Sequence, residues 1–297
     1  MNKPLLTLIL LLSVALTVSG CLQRPEVIST DHRWGEVTSE ETELVSTIVV
    51  DGPNFVPIPL SDVKVDIYMN GIHMGTGSAV GDTTISGRDE IEISSRIENE
   101  RLRDWWLTHI RNGEETEVKI RGTLVFGVLG YGLEVPVENN VRFNTSILSK
   151  MSSKEVRMGF TGFDALVMKN MEFKWDVDEE GGDTAIIVTM DVRNNLPVKI
   201  PLRSIDYQMK MNGVKIAQGA SSDHRSIPAS GQREIRMEMT MDNSKIPEWW
   251  VTHIQKGERT AVSIDMQLTL EMDGKEETVE LSDMEFEFST NIAGSMS

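Results

Sequence analysis

The sequence predicts a mainly β protein built from two tandem antiparallel β-sandwiches, each carrying one amphipathic helix. Three observations predict this fold: polar and apolar residues alternate over most of the chain, one helical pattern interrupts them, and the whole arrangement occurs twice. The length of 297 residues is enough for two domains of ordinary size. A hydrophobic content of 39% is enough to give each domain a packed core.

The duplication is clearest around a pair of tryptophans. Residues 105–118 read WWLTHIRNGEETEV and residues 249–262 read WWVTHIQKGERTAV, so nine of fourteen positions are identical at a spacing of 144. This period is too long for a solenoid and indicates two whole domains. We place the first copy at 31–149 and the second at 165–293, joined by a linker at 150–164, and expect each copy to fold alone.

Alternation with a period of two predicts the strands. The apolar positions of segment 62–69 alternate with polar positions, and segment 204–211 repeats this pattern. Such a period is typical of an antiparallel strand with one buried face. An Asn-Gly pair follows each segment, at 70–71 and at 212–213, and this dipeptide is the strongest short signal for a β-hairpin.

One segment in each copy has the period of a helix. Leu102, Trp105, Trp106, His109 and Ile110 fall at spacings that place them on one helix face. A glycine follows where a left-handed cap is expected at the end of the helix. The helix motif comprises Trp105, Trp106, His109 and Gly113 in the first copy, and Trp249, Trp250, His253 and Gly257 in the second.

The repeated histidines and tryptophans are the candidates for a functional site. A metal site needs several converging ligands, and a nucleophilic triad needs a base beside a serine or cysteine, with an orienting acid. Neither pattern is visible near His109 or His253, so we interpret both as structural, bonded through one nitrogen and packed through the ring. At least one tryptophan of each pair is expected in the core. Its neighbour, turned about 100° around the helix, is a candidate for the rim, where it would offer a platform for carbohydrate or lipid.

The N-terminus has the pattern of an export and anchoring signal. Lys3 precedes an apolar stretch that is too short to span a bilayer comfortably and has the length of a signal-peptide core. The sequence Val-Ser-Gly-Cys at 18–21 resembles a prokaryotic lipobox. Residues 1–20 are therefore predicted to be a lipoprotein signal peptide, Cys21 the lipidated residue and 21–30 a tether. The alternative is an uncleaved signal anchor; both place the remainder on the extracytoplasmic face of the cell membrane.

Charge and cysteine content exclude several classes of partner. The chain has 29 Lys and Arg against 46 Asp and Glu, a net charge of −17. Nucleic-acid binding needs a cationic surface, so no nucleic-acid partner is expected. Cys21 is the single cysteine, which leaves no intramolecular disulfide and no cysteine-based zinc site. We predict no catalytic residues, no metal and no cofactor, and the sequence does not specify a protein or ligand partner.

These motifs resemble a known family. The Pro-Leu pairs at 59–60 and 201–202, the Asn-Gly hairpins, the Ile-Pro-Ala-Ser-Gly stretch at 227–231 and the tryptophan helix are similar to the archaeal WHy (water stress and hypersensitive response) domains. Those domains belong to the class-2 late-embryogenesis-abundant proteins. The resemblance implies a fibronectin-III-like β-sandwich with one helix. The chain departs from the family at the turn before the Pro-Leu strand, where an Asn-Pro pair is common and residues 194–197 read Asn-Asn-Leu-Pro.

The resemblance leaves three functions open. The first is a non-catalytic cell-surface protein with a role in desiccation or water-stress response or protection, which the family implies. The second is a scaffold or interaction module of the cell envelope. The third is a carrier of an apolar ligand, which would need an apolar cleft or a ligand-sized cavity.

The lipobox interpretation gives the first prediction. Replacing Cys21 with serine removes the sulfur that would receive the diacylglyceryl group, so the variant Cys21→Ser should leave the membrane fraction or accumulate unprocessed. Fractionation followed by mass spectrometry of the N-terminal peptide measures both. Lipidation of the variant at the wild-type level would rule out Cys21 as the acceptor.

Overall fold

The structure is a computed structural model that describes residues 24–52, 57–128, 130–151, 155–160, 163–177, 182–221, 225–272 and 274–296. The predicted signal peptide and Cys21 lie outside the described residues. The described chain forms two antiparallel sheets, one in each copy, and four short helices. The predicted class, mainly β with two tandem sandwich domains that each carry an amphipathic helix, is confirmed.

The first copy contains eight strands and two helices. In chain order they are β1 (Glu26–Val37), β2 (Glu41–Asp51), β3 (Ile58–Met69), β4 (Ile72–Ala79), β5 (Thr84–Ile85), β6 (Arg88–Glu98), α1 (Leu102–Arg111), β7 (Glu115–Val128), β8 (Tyr131–Asn144) and α2 (Ile147–Lys150). The sheet order is β1-β2-β6-β4-β3-β7-β8, with the two-residue strand β5 paired to β3. A single curled sheet therefore builds both faces of the sandwich.

The second copy repeats this plan and adds one edge strand. Its elements are β9 (Val156–Phe160), β10 (Phe163–Val177), β11 (Thr184–Asn194), β12 (Ile200–Met211), β13 (Val214–Ser221), β14 (Ser226–Ile227), β15 (Gln232–Met241), α3 (Ile246–Gln255), β16 (Arg259–Met272), β17 (Lys275–Ser289) and α4 (Ile292–Ser295). The sheet order is β17-β16-β12-β13-β15-β11-β10-β9, with β14 paired to β12. β9 is the added strand.

The hairpins and the core faces lie where the alternation places them. Asn70 and Gly71 have φ values of +49° and +82°, which fit the two central positions of a type I′ turn, and Met69 pairs with Ile72 across it. Asn212 and Gly213 form the same turn in the second copy, with φ values of +52° and +86°. The alternating apolar side chains are buried: Val63, Val65, Ile67 and Met69 in β3, and Ile205, Tyr207, Met209 and Met211 in β12.

The structure differs from the predicted segments at three places. β1 begins at Glu26, inside the predicted tether 21–30, and pairs with β2 from its first residue. β9 lies inside the predicted linker 150–164. Each copy also ends in a second, four-residue helix that the sequence did not predict. β1 escaped detection because most of its side chains are exposed or half-buried, so they need no apolar alternation.

The two copies exchange their C-terminal helices. The copy-one sheet begins at β1 and ends at β8, and α4 of the second copy contacts both of these strands. In return, α2 of the first copy contacts β10 and β17 of the second. The amide nitrogen Nδ2 of Asn139 in β8 donates to the backbone oxygen of Met296, just beyond α4. Each short helix therefore covers the space between the first and last strands of the other copy's repeated sheet.

The hydrophobic core continues from one copy into the other. Helices α1 and α3 contact each other, and the buried apolar side chains of both copies belong to one cluster. If each copy folded alone, the apolar face of its long helix would pack only on its own sandwich. In the structure, the apolar faces of α1 and α3 also pack against each other.

Separated copies should therefore be less stable than the intact chain. A fragment of residues 24–151 exposes the interface side of α1 and lacks α4, so it should unfold at a lower temperature than the full chain. Thermal unfolding followed by circular dichroism measures the difference. Adding the fragment 155–297 should raise the unfolding temperature again. Fragments that melt at the temperature of the intact chain would show that the shared core contributes nothing.

Candidate functional site: the tryptophan interface between the copies

All six tryptophans of the sequence lie at the boundary between the two copies. The four helix tryptophans, Trp105, Trp106, Trp249 and Trp250, are 0–1% exposed. Trp34 in β1 and Trp175 in β10 are half-buried and pack against the same core. This set of six residues is called the tryptophan interface below.

The helix tryptophans contact each other in crossed pairs. The ring centroids of Trp105 and Trp250 lie 5.4 Å apart at an interplanar angle of 71°. The rings of Trp106 and Trp249 lie 5.5 Å apart at 68°. These edge-to-face arrangements place the positive ring edge on the negative ring face, which contributes about 0.5–1.5 kcal/mol for each pair beyond burial. The near-equality of the two geometries shows that the copies are related by an approximate twofold axis.

The strand tryptophans follow the same symmetry. Trp34 of the first copy meets Trp250 of the second, with centroids 5.9 Å apart and rings at 88°. Trp175 of the second copy meets Trp106 of the first at 6.1 Å and 88°. Each helix therefore lies against a strand tryptophan of the other copy.

Two hydrogen-bond chains cross between the copies. The indole Nε1 of Trp106 donates to the hydroxyl of Thr184 at 3.2 Å, and Thr184 donates to Asn243 Oδ1 at 2.8 Å. In the opposite direction Trp250 Nε1 donates to the Thr42 hydroxyl at 3.1 Å. Thr42 then donates to Asn99 Oδ1 at 2.8 Å. Both chains are buried, so loss of one partner would leave a donor or acceptor unsatisfied, at about 1–3 kcal/mol.

A buried glutamate after each long helix joins three elements. Glu114 accepts hydrogen bonds from the Thr145 hydroxyl at 2.8 Å and from the first backbone N–H groups of α2, those of Ile147 and Leu148. It also accepts from Nε1 of Trp175 in the other copy at 2.9 Å. The equivalent donors to Glu258 are Trp34 Nε1 at 2.8 Å, Thr290 Oγ1, and the backbone N–H groups of Ile292 and Ala293. Each carboxyl group thus ties a helix start to a tryptophan of the other copy.

The histidines belong to hydrogen-bonded networks inside each copy. Nε1 of Trp105 donates to the Thr116 hydroxyl at 2.9 Å, and this hydroxyl lies 2.7 Å from Nδ1 of His109. Nε2 of His109 lies 2.9 Å from the hydroxyl of Thr145, which donates to Glu114. A hydroxyl that donates to a carboxyl oxygen presents a lone pair to the imidazole. The network therefore assigns the proton of a neutral His109 to Nε2. In the second copy the same contacts join His253 to Thr260 at 2.8 Å and to Thr290 at 2.9 Å.

Burial keeps both histidines neutral. Removal from water lowers the pKa of His109 to about 3, against a weaker opposing effect of the Glu115 backbone. The same desolvation lowers the pKa of His253 to about 4, with Glu258 and the Arg259 backbone acting in the opposite direction. A buried imidazolium would lose its hydration without a compensating ion pair of sufficient strength. Both rings thus act as neutral hydrogen-bonding groups.

The structure places the predicted motif residues together, answers one open question and corrects one detail. Both tryptophans of each pair are buried, so neither Trp106 nor Trp250 forms the rim platform that remained open. Each histidine is bonded through both nitrogens, where one was expected. Gly113 and Gly257 both have a φ of +69°, as a left-handed cap requires.

Sequence reasoning missed half of this site. It did not identify the strand tryptophans or the role of the buried glutamates, nor the threonines that bridge them. A signal was present, because Glu114 matches Glu258, Thr116 matches Thr260, and Thr145 matches Thr290 in the repeat. Identical polar residues at matched positions beside buried aromatic residues indicate a shared hydrogen-bond network.

Two further properties concern the described residues as a group. No set of three or more His, Cys, Asp or Glu side chains among them could hold a metal ion. None of the helices in this part of the chain has the length and apolar character needed to cross a membrane.

The fold and the interface define a tandem all-β protein whose copies share one aromatic core. The chain belongs to the late embryogenesis abundant protein family (LEA_2): the family model matches residues 47–141 and 189–283, which is 190 of the 297 residues. Each match falls within one copy of the repeat. The family assignment and the internal duplication therefore agree.

Individual relatives come from archaea and from a plant. An uncharacterized protein of Methanocaldococcus jannaschii is 22% identical over 152 residues, which cover 50% of this chain and 86% of that protein. A crystal structure of a protein from Archaeoglobus fulgidus is 29% identical and covers 42% of this chain and 98% of its own, with a TM-score of 0.39. A solution structure of an Arabidopsis thaliana protein is 11% identical, covers 40% of this chain and 81% of its own, and has a TM-score of 0.30.

The neutral histidines predict a specific pH dependence of stability. Histidine in an unfolded chain titrates near pH 6.5, whereas the buried rings titrate near 3 and 4. The contribution of the two neutral histidines to the free energy of unfolding is complete above pH 6.5. It is lost as the pH falls toward 4, because the unfolded chain then binds protons that the folded chain excludes. The free energy of unfolding should fall by up to about 1.4 kcal/mol per pH unit for each histidine.

Denaturant unfolding between pH 7.5 and 4.5 measures this slope. The double variant His109→Gln/His253→Gln keeps hydrogen-bonding groups and should show a smaller slope. His73→Gln removes an exposed histidine in β4 and is the control for the loss of an imidazole as such. An unchanged slope in the double variant would contradict the assignment to the buried rings.

Proposed function

We propose that this chain is a non-catalytic protein, anchored through a lipid on Cys21 to the extracytoplasmic face of the cell membrane, with a role in water-stress response or protection. Membership of the late embryogenesis abundant family supports the stress role. The lipobox-like sequence ending at Cys21 supports the anchor. The proposal combines the two: a folded tandem domain held at the cell surface.

The proposal that the protein is non-catalytic rests on the surroundings of the repeated histidines and tryptophans. His109 and His253 are buried and bonded through both nitrogens to threonines. The motif tryptophans are buried against each other and cannot serve as a ligand platform. A general base must reach a substrate proton within hydrogen-bonding distance. Neither histidine presents an imidazole nitrogen to solvent, so the repeated motif supports the fold.

The charge of the surface supports a protective role. The chain carries a net charge of −17, and its acidic residues are mostly exposed in the described sheets. A surface with net charge far from zero keeps proteins separate and soluble, which opposes aggregation when water is withdrawn. Protection would then come from a hydrated, self-repelling layer of folded domains at the membrane.

A carrier of an apolar ligand is the alternative that can be examined in the described interior. A cavity inside the first copy, beside His32, Ser46 and Ile93, has a volume of about 20 Å³. Ligand sites of small molecules measure about 300–1,000 Å³, so this cavity has room for a single water molecule. Three wider clefts of the described surface, of about 360–450 Å³, are lined mainly by polar groups, such as those of Asp206 and Asp265, which do not suit an apolar ligand. The scaffold alternative needs a partner protein, and copurification from membranes would identify one.

Survival under drying tests the proposed function. A strain lacking the gene should survive desiccation and osmotic shock less well than wild type, and the wild-type gene should restore survival. A gene that encodes Cys21→Ser should restore it less well, because the protein would be lost from the surface. Equal survival of the deletion and wild-type strains would contradict the stress role. Full rescue by Cys21→Ser would separate that role from the anchor.

A further inference from the structure

The β7–β8 hairpin of the first copy has an apolar sequence around its turn, where Tyr131 is exposed. Residues 127–133 read Gly-Val-Leu-Gly-Tyr-Gly-Leu. Tyr131 pairs with Val128 across the hairpin and, at 81%, is the most exposed large hydrophobic side chain in the described part of the chain. An aromatic side chain left in water at this extent is unfavourable unless something covers it, because apolar surface is stabilised by removal from water.

The second copy provides an internal comparison. Its β16–β17 hairpin has the same two-residue turn, in which Met272 pairs with Lys275. Lys275 occupies the position of Tyr131, and the tip reads Met-Asp-Gly-Lys-Glu-Glu over 272–277. The fold therefore accepts a tip rich in charged residues at this position. The apolar tip of the first copy is a feature of that copy alone and is not needed by the hairpin.

The chain that leads to Cys21 reaches the fold beside this tip. The guanidinium group of Arg24, the first described residue, donates to the backbone oxygen of Glu134, three residues beyond Tyr131. Three peptide bonds join Cys21 to Arg24 and can span at most about 11 Å. The predicted lipid attachment point is therefore tethered close to the hairpin tip.

The same end of the first copy carries further exposed apolar side chains. Ile28, near the start of β1, is 48% exposed, and Val80, at the end of β4, is 50% exposed. The opposite end of the sheet leads into α1 and the tryptophan interface, because β7 starts directly after α1 and runs for 14 residues. This end of the first copy therefore lies away from α1 and α3, and Ser295 and Met296 of the second copy reach it beside the start of β1.

We propose that the β7–β8 tip, centred on Tyr131, lies in the headgroup region of the bilayer that carries the Cys21 lipid. This inference rests on the proposed lipid anchor. Tyrosine suits this region because its ring is apolar and its hydroxyl remains hydrated. The acidic chain is not drawn to anionic headgroups, so the contact is apolar. The first copy stands with its strand ends on the membrane, and the second copy projects outward across the tryptophan interface.

Depth-dependent quenching tests this orientation in the full, lipidated chain. The lipid blocks the sulfur of Cys21, which mass spectrometry verifies first, so a cysteine introduced by Tyr131→Cys can be labelled alone with an environment-sensitive fluorophore. The matched control is Lys275→Cys, at the same hairpin position of the second copy. In phosphatidylcholine vesicles that contain headgroup spin-labelled lipid, the label at 131 should be quenched several-fold more than the label at 275.

Because Tyr131→Cys removes the tyrosine, a second measurement tests whether Tyr131 itself contributes to the membrane contact. A label introduced by Val80→Cys reports on the same end of the first copy while Tyr131 is present. The added change Tyr131→Lys, which installs the side chain of the second copy, should reduce quenching at 80. Quenching at 80 that is unaffected by Tyr131→Lys would overturn the proposal.

The outcomes separate the hairpin contact from the anchor. Protein that floats with the vesicles but shows equal quenching at 131 and 275 keeps its anchor and overturns the orientation. Protein that does not float at all lacks a working anchor and overturns both proposals. Greater quenching at 131, unchanged by high salt, is the result expected of an apolar contact.

Discussion

The buried indole N–H group is the constraint on which this structure depends. Six tryptophans meet at one boundary, and an indole nitrogen that loses water must find an acceptor. Four of these nitrogens find it in the other copy: Trp106 and Trp250 at threonine hydroxyls, and Trp34 and Trp175 at the buried glutamates. The interface is therefore specified by direction as well as by burial. A purely hydrophobic contact is non-directional and would let one copy shift along the other. These hydrogen bonds fix one register between the copies.

The duplication explains why so few residue types build so extensive a contact. Each copy supplies the same tryptophans, the same threonines and the same glutamate, so each cross-copy bond of an indole nitrogen has its counterpart near an approximate twofold axis. This is the logic of an isologous dimer, in which one surface patch pairs with itself. Here the two patches lie in one chain, so association carries no cost of bringing separate molecules together. The copies have diverged at the ends far from this interface. Tyr131 of the first copy and Lys275 of the second occupy equivalent positions in their hairpins.

Much of the fold followed from local pattern, whereas the interface did not. Period-two alternation and the Asn-Gly pairs identified β3, β12 and their hairpins, because these features depend on neighbours in sequence. The helix stripe of Trp105, Trp106 and His109 was equally visible. What covers that stripe was not, because an amphipathic helix has the same pattern whether it packs on its own sheet or on another helix. The exchanged helices α2 and α4 were missed for a related reason, because they pack against strands of the other copy. β1 was missed because most of its side chains are exposed or half-buried.

The exchange of short helices makes the folding of the first copy depend on a segment of the second copy that is synthesised later. Helix α4, which follows the strands of both copies in the sequence, completes the space between β1, which begins at Glu26, and β8. A chain synthesised from its N-terminus therefore presents an incomplete first domain until α4 has been made. The first copy therefore cannot complete its packing by itself during synthesis. Closure of the first domain waits for the C-terminal segment of the second copy.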